Sequence, residues 1–94
     1  MSVMVILEVD GDPEALLAAT AELERRRPTS AVTARVIAPV EGGIILCTVW
    51  ESAAARAAYQ SEPEHDEALQ ASGLNDVVTG MRSRVFENAE MSLR

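Results

Sequence analysis

"SVMVILEVDGDPEALLAATAELERRRP", residues 2–28, holds a first strand and a first helix, and the spacing of its apolar residues decides the fold. Over residues 2–10 the side chains alternate with period two: Val3, Val5, Leu7 and Val9 share one face, Met4, Ile6 and Glu8 the other. Both faces stay apolar until the strand's end. A strand of that kind is usually covered on both sides. From Asp12 the period becomes helical. Asp12 is a good N-cap, Pro13 suits the first helical position, and Glu14 complements the helix dipole. Leu16, Ala19, Thr20 and Leu23 recur at helical spacing and should face a sheet, and Pro28 stops the helix.

The same reading extends along the chain. Residues 31–39 form a second strand, with Val32, Ala34 and Val36 opposed by Thr33, Arg35 and Ile37. "PVEGG" at 39–43 is a hairpin connection. Residues 44–51 form a third strand, again apolar on both faces: Ile44, Leu46, Thr48 and Trp50 against Ile45, Cys47 and Val49. Ser52 caps a helix over 53–60. A second start follows at Ser61, where "SEPE" has capping-box spacing, and that helix runs to Ser72 with Gly73 as its stop. Residues 76–87 give a last strand in which Gly80 marks a bulge or a close approach. The tail "NAEMSLR", 88–94, receives no assignment. The order β-α-β-β-α-β predicts an α+β, ferredoxin-like domain over residues 1–94: a four-stranded antiparallel sheet with its helices on one face. The helix-free face is apolar too, so a second sheet must cover it.

Ninety-four residues lie near the small end of what folds alone. The hydrophobic share of 48% places the chain among globular proteins. Trp50, Tyr59 and Phe86 are its only aromatic residues, so the core rests on Val, Ile, Leu, Ala and Met. A core that small predicts burial of a sheet face in a homodimer. The net charge of −7 disfavours nucleic-acid binding, which needs a basic footprint. The one cationic run, Arg25 to Arg27, reads as a helix C-terminus. A single Cys excludes an internal disulfide framework, and the first apolar run is too short to span a bilayer. The expectation is a cytoplasmic chain without membrane contact.

Four segments resemble the dimeric α/β-barrel superfamily, in particular the antibiotic biosynthesis monooxygenase group: "EVDGDPEALL", "APVEGG", "VWES" and "EHDEALQASGL". That resemblance implies two sheets packed face to face in a homodimer, with a pocket in each subunit between sheet and helices. It places Leu46, Thr48 and Trp50 toward the helices. The group includes oxygenases, cyclases and haem degraders, so it implies no single reaction. Haem degradation fits poorly, because the first strand offers Glu8 and no Asn, and the helix offers Tyr59-Gln60 where a His is expected.

The candidate catalytic residues are Trp50, Arg35, Tyr59 and His65. Trp50 is either a core anchor or a pocket wall that stacks a flat ligand and donates one hydrogen bond. Tyr59, among small alanines, either fills the gap they leave or orients a substrate oxygen. Histidine titrates near neutrality, but His65 stands in an acidic segment that reads as solvent-exposed. Arg35, if buried, needs an acidic partner or an anionic ligand such as an enolate, phenolate or carboxylate. Arg82 and Arg84 share that role on a common face, or else pair with acids across a dimer. Leu46, Thr48 and Leu69 complete the expected substrate-binding set. Cys47 reads as a small buried hydrophobe toward the inter-sheet side. One His and one Cys with no close ligand spacing argue against a structural zinc site, and no metal or cofactor is expected. Two functions follow: a cofactor-independent monooxygenase or cyclase acting on an aromatic, polyketide-like molecule, or a non-catalytic dimeric scaffold that binds small molecules.

Overall fold

A computed structural model describes residues 1–92. The elements are β1 (Ser2–Asp10), α1 (Pro13–Arg26), β2 (Val32–Val40), β3 (Gly43–Trp50), α2 (Ala53–Ser61), α3 (Pro63–Ser72), α4 (Leu74–Val77) and β4 (Gly80–Ala89). The strands make one sheet in the order β2-β3-β1-β4, with every neighbouring pair antiparallel. This is the ferredoxin-like α+β arrangement expected from the residue pattern. No helix is long and apolar enough to cross a membrane among the described residues.

Local chemistry sets the helix ends. The Asp12 carboxylate accepts from the Ala15 N–H at 2.9 Å, and the Ser52 hydroxyl accepts from the Ala55 N–H at 3.0 Å. Gly73, at φ 76°, ends α3 in the left-handed region that glycine enters at least cost. The expected capping box at Ser61 does not form. Ser61 is the last residue of α2, and its hydroxyl donates back to the Ala58 carbonyl at 3.1 Å; Glu62 and Pro63 open α3 instead. The last strand also begins later than the sequence pattern suggests, because residues 74–77 wind into the short helix α4. Gly80 is a close approach, since a Cβ there would lie 2.7 Å from Asp10 Oδ2.

Register assigns each side chain to a face, because directly opposed residues in an antiparallel pair point the same way. Val3, Val5, Leu7 and Val9 share the helix side with Ile44, Leu46, Thr48 and Trp50. The core sits there in two clusters, one around Val3, Val5 and Trp50, the other around Val9, Leu16 and Ile44. In β2 simple alternation fails. Val32 pairs with Trp50 but Ala34 pairs with Val49, so a bulge at Thr33 turns Val32 toward the helices and leaves Ala34 and Val36 on the opposite face. The bulge also sets Arg35 and Ile37 on the helix side, opposite Thr48 and Leu46.

The helix-free face carries Met4, Ile6, Val36, Ile45, Cys47, Val49 and Phe86. It is open in the single chain: Val36 is 65% exposed, whereas Val3 and Val5 on the covered face are 3% and 2% exposed.

At the end of α1, Glu22 bonds Arg25 and Arg26 through contacts of 2.5 and 2.8 Å. The Arg25 hydrogen bond, aided by Arg26, lowers the Glu22 carboxyl from 4.5 to about 2 against the opposing effect of desolvation. A carboxyl held down in the folded state adds stability above its unfolded value and loses it as pH falls toward the folded one. The stability difference between the native chain and Glu22→Gln should therefore shrink as pH drops from above 4.5 toward about 2, read by urea unfolding at each pH. A difference independent of pH would contradict the ion pair.

Candidate functional site

Helix α1 packs directly on the sheet through buried Leu16, Ala19 and Thr20. Helices α2 and α3 stand further off: α2 buries no residue and α3 buries only Ala68. Between them and the sheet lies a pocket of about 510 Å³. Its floor is apolar, formed by Val5, Leu7 and Val9 of β1 with Leu46 and Trp50 of β3. Its walls carry the polar groups: Glu24 and Arg27 at the end of α1, Arg35 of β2, Arg56, Tyr59 and Gln60 of α2, and His65 of α3. Exposed Met81 and Ser83 of β4 mark where it meets solvent. A volume of this size suits a small organic molecule, and an apolar chamber with a few polar groups is the usual form of such sites.

Seven of the residues singled out in the sequence come together here: Trp50, Arg35, Tyr59, His65, Leu46, Thr48 and Leu69. Their engagements limit what each does. The Trp50 indole N–H donates to the Thr48 hydroxyl at 3.1 Å, which leaves Trp50 as a stacking wall without a free donor. The Trp50 and Tyr59 rings lie 5.3 Å apart at 58°. The Tyr59 O–H donates to the Arg27 carbonyl at 3.1 Å, while an Arg27 N–H donates to the Tyr59 carbonyl at 2.9 Å. The Arg27 guanidinium sits 3.9 Å from the centre of the Tyr59 ring and pairs with Glu62 at 3.1 Å. Burial, more than the nearby Glu24 and Glu62, raises the Tyr59 phenol above 10.0 despite the opposing charge of Arg27. Tyr59 is thus a neutral fastener between α1 and α2.

Arg35 finds the acidic partner that burial demands, a Glu24 oxygen at 2.9 Å. His65 is not the exposed residue its acidic surroundings suggested. It is half-buried on the pocket wall, edge-on to Tyr59 at 5.3 Å, and its Nδ1 is buried with no hydrogen-bond partner among the described residues. An orphaned polar atom beside a pocket is a departure from the rule that buried polar groups are paired.

Arg82 and Arg84 lie elsewhere. Register pairs them with Glu8 and Ile6, which sets both on the helix-free face, across the sheet from the pocket. Arg82 binds Asp10 and Glu8, each at 3.1 Å within its own chain, and these acids raise its guanidinium further above its ordinary value. The Arg84 guanidinium lies 5.1 Å from the centre of the Phe86 ring. Sequence reasoning missed Glu24, Arg27, Arg56 and Gln60. Arg56 and Gln60 were findable, since they flank Tyr59 at helical spacing on one face of α2.

Among the described residues no group of three or more His, Cys, Asp or Glu is placed to hold a metal ion. Neither the models of known families nor the curated proteins include a match to this chain. Solved structures do. One is a protein from Chloroflexus aurantiacus J-10-fl described as a candidate antibiotic biosynthesis monooxygenase, 16% identical, with a TM-score of 0.77 over 98% of this chain and 97% of that one. A second is a mutant form of SnoaB, a cofactor-independent oxygenase from Streptomyces nogalater, 17% identical, with a TM-score of 0.67 over 98% and 96%. A third, from Bacteroides thetaiotaomicron VPI-5482 and also described as a candidate antibiotic biosynthesis monooxygenase, is 16% identical with a TM-score of 0.70 over 99% and 94%. The sheet order, the one-sided helices and this full-length likeness identify the fold as that of the antibiotic biosynthesis monooxygenase-like structures.

Proposed function

We propose that this single-domain chain works as a homodimer and is a cofactor-independent oxygenase or cyclase acting on an aromatic, polyketide-like molecule. The observation that carries the reading is the 510 Å³ pocket, whose apolar floor ends in Trp50 and whose walls bring together Arg35 and His65. In such chemistry the electron-rich anion of the substrate reacts with dioxygen directly. The protein has to take a proton, stabilise the resulting anion and keep water away. His65 is assigned the proton, and Arg35, whose one ion-paired nitrogen faces Glu24, is assigned the developing anion through its remaining N–H groups. Trp50, Leu46 and Leu69 hold the flat body.

Uncovered apolar strands on the other side of the sheet support the homodimer. One observation favours the alternative of a non-catalytic binding scaffold: the Trp50 N–H and the Tyr59 O–H are both spent on internal hydrogen bonds. Oxygen uptake with polycyclic phenols, measured in the presence of a metal chelator, separates the two. A turned-over phenol supports the enzyme, and Arg35→Gln should lower kcat/KM roughly a hundredfold, the scale of losing one anion-stabilising group. Unchanged turnover would remove Arg35 from the mechanism. Binding without uptake or cyclised product across the panel would favour the scaffold.

A further inference from the structure

The pocket has the opposite charge to the chain that encloses it. Three of the chain's eight basic residues line it, Arg27, Arg35 and Arg56, against one of its fifteen acids, Glu24. Two of these guanidiniums are occupied, Arg35 by Glu24 and Arg27 by Glu62 and the Tyr59 carbonyl. Arg56 is not. It is half-buried, and it makes no ion pair or side-chain hydrogen bond among the described residues. A partly desolvated guanidinium without a partner is costly, and the cost is removed when an anion arrives.

We infer that the pocket takes a flat organic acid and that Arg56 holds its carboxylate. This rests on reading the pocket as a ligand site. Gln60 lies four residues further along the same helix and also lines the pocket, so its amide is on hand for the second carboxylate oxygen. The ring system of the acid then runs along Trp50, Leu46 and Val5. One unengaged cation matches one negative charge. A phosphate ester, with two charges and three terminal oxygens, would leave most of its acceptors unmet here.

The test uses naphthoate and the neutral naphthamide of the same ring isomer, titrated by calorimetry into the native protein, Arg56→Gln and Arg26→Gln. The last removes an equal charge from the exposed end of α1, outside the pocket. The native protein and Arg26→Gln should bind the acid about tenfold or more tighter than the amide, as expected for a hydrogen bond to a charged group. Arg56→Gln should lose that preference while its affinity for the amide stays the same. Equal binding of acid and amide by the native protein overturns the inference but leaves the ligand site standing, and so does a preference that survives in Arg56→Gln. Failure of both probes to bind at millimolar concentration overturns the ligand site and the anchor with it.

Discussion

Leu16→Ala is expected to lower the unfolding free energy by about 2–5 kcal/mol, the range for emptying a buried leucine site. Leu16 is fully buried, and it joins α1 to Val9 and Ile44 in the centre of the sheet. Only eight hydrophobic residues are buried among the described ones, and two of those are alanines, so the lost contacts have few substitutes. A domain of this size has a stability of roughly 5–15 kcal/mol at most, and the substitution removes a large part of it. The melting temperature should fall by more than about 10 °C. Urea unfolding should show a lower midpoint with an unchanged slope, the mark of lost stability in a cooperative transition. A loss below about 1 kcal/mol would mean that α1 does not pack on the sheet as described.

The sheet and α1 were legible in the sequence because several signals agreed at each point. In β1 the alternation of Val3, Val5, Leu7 and Val9 with Met4 and Ile6 marks both the strand and its two apolar faces, and the strand runs as expected from Ser2 to Asp10. In α1 the cap at Asp12, Pro13 at the first position and the spacing from Leu16 to Thr20 all agree with the structure. The bulge at Thr33 was not legible, since no glycine or proline marks it and threonine suits a regular strand equally well. Helix α4 escaped because four residues are too few for any periodicity to show.

The site was partly legible for a similar reason. Strand alternation sets Leu46, Thr48 and Trp50 on one face, the resemblance at "VWES" turns that face toward the helices, and the small alanines around Tyr59 single it out; all four line the pocket. The place of His65 is hidden in the sequence, because its neighbours there are acidic and exposed, whereas its neighbours in space are the Tyr59 ring and the pocket wall. In the sequence Arg27 is only a charge at a helix end. Its contact with Tyr59 spans 32 residues of sequence, and no local pattern announces a pairing of that length. Arg82 and Arg84 share a face as their spacing implies, and only the register with Glu8 and Ile6 shows that it is the helix-free one, away from the pocket.

Val36→Glu is expected to convert a dimer into a folded monomer. Val36 lies on the helix-free face opposite Cys47, on the same side as Ile45, Met4 and Ile6, and it is 65% exposed in the single chain. A glutamate there costs the isolated subunit little, because its carboxylate remains in water. A two-fold interface built on this face would bury the new carboxylate twice, once from each subunit, with no partner provided. Burying unpaired charge costs several kcal/mol, and about 3 kcal/mol already weakens association by about a hundredfold. Sedimentation at micromolar concentration should therefore show a dimer for the native chain and a monomer for Val36→Glu, with the far-ultraviolet circular dichroism of the two alike. Ala57→Glu, on the exposed side of α2, adds the same charge on the other side of the sheet and should leave the dimer intact. A native monomer, or a Val36→Glu dimer as tight as the native one, would mean that water and not a second sheet covers this face. The apolar residues at 36, 45 and 4 would then be left without a physical reason.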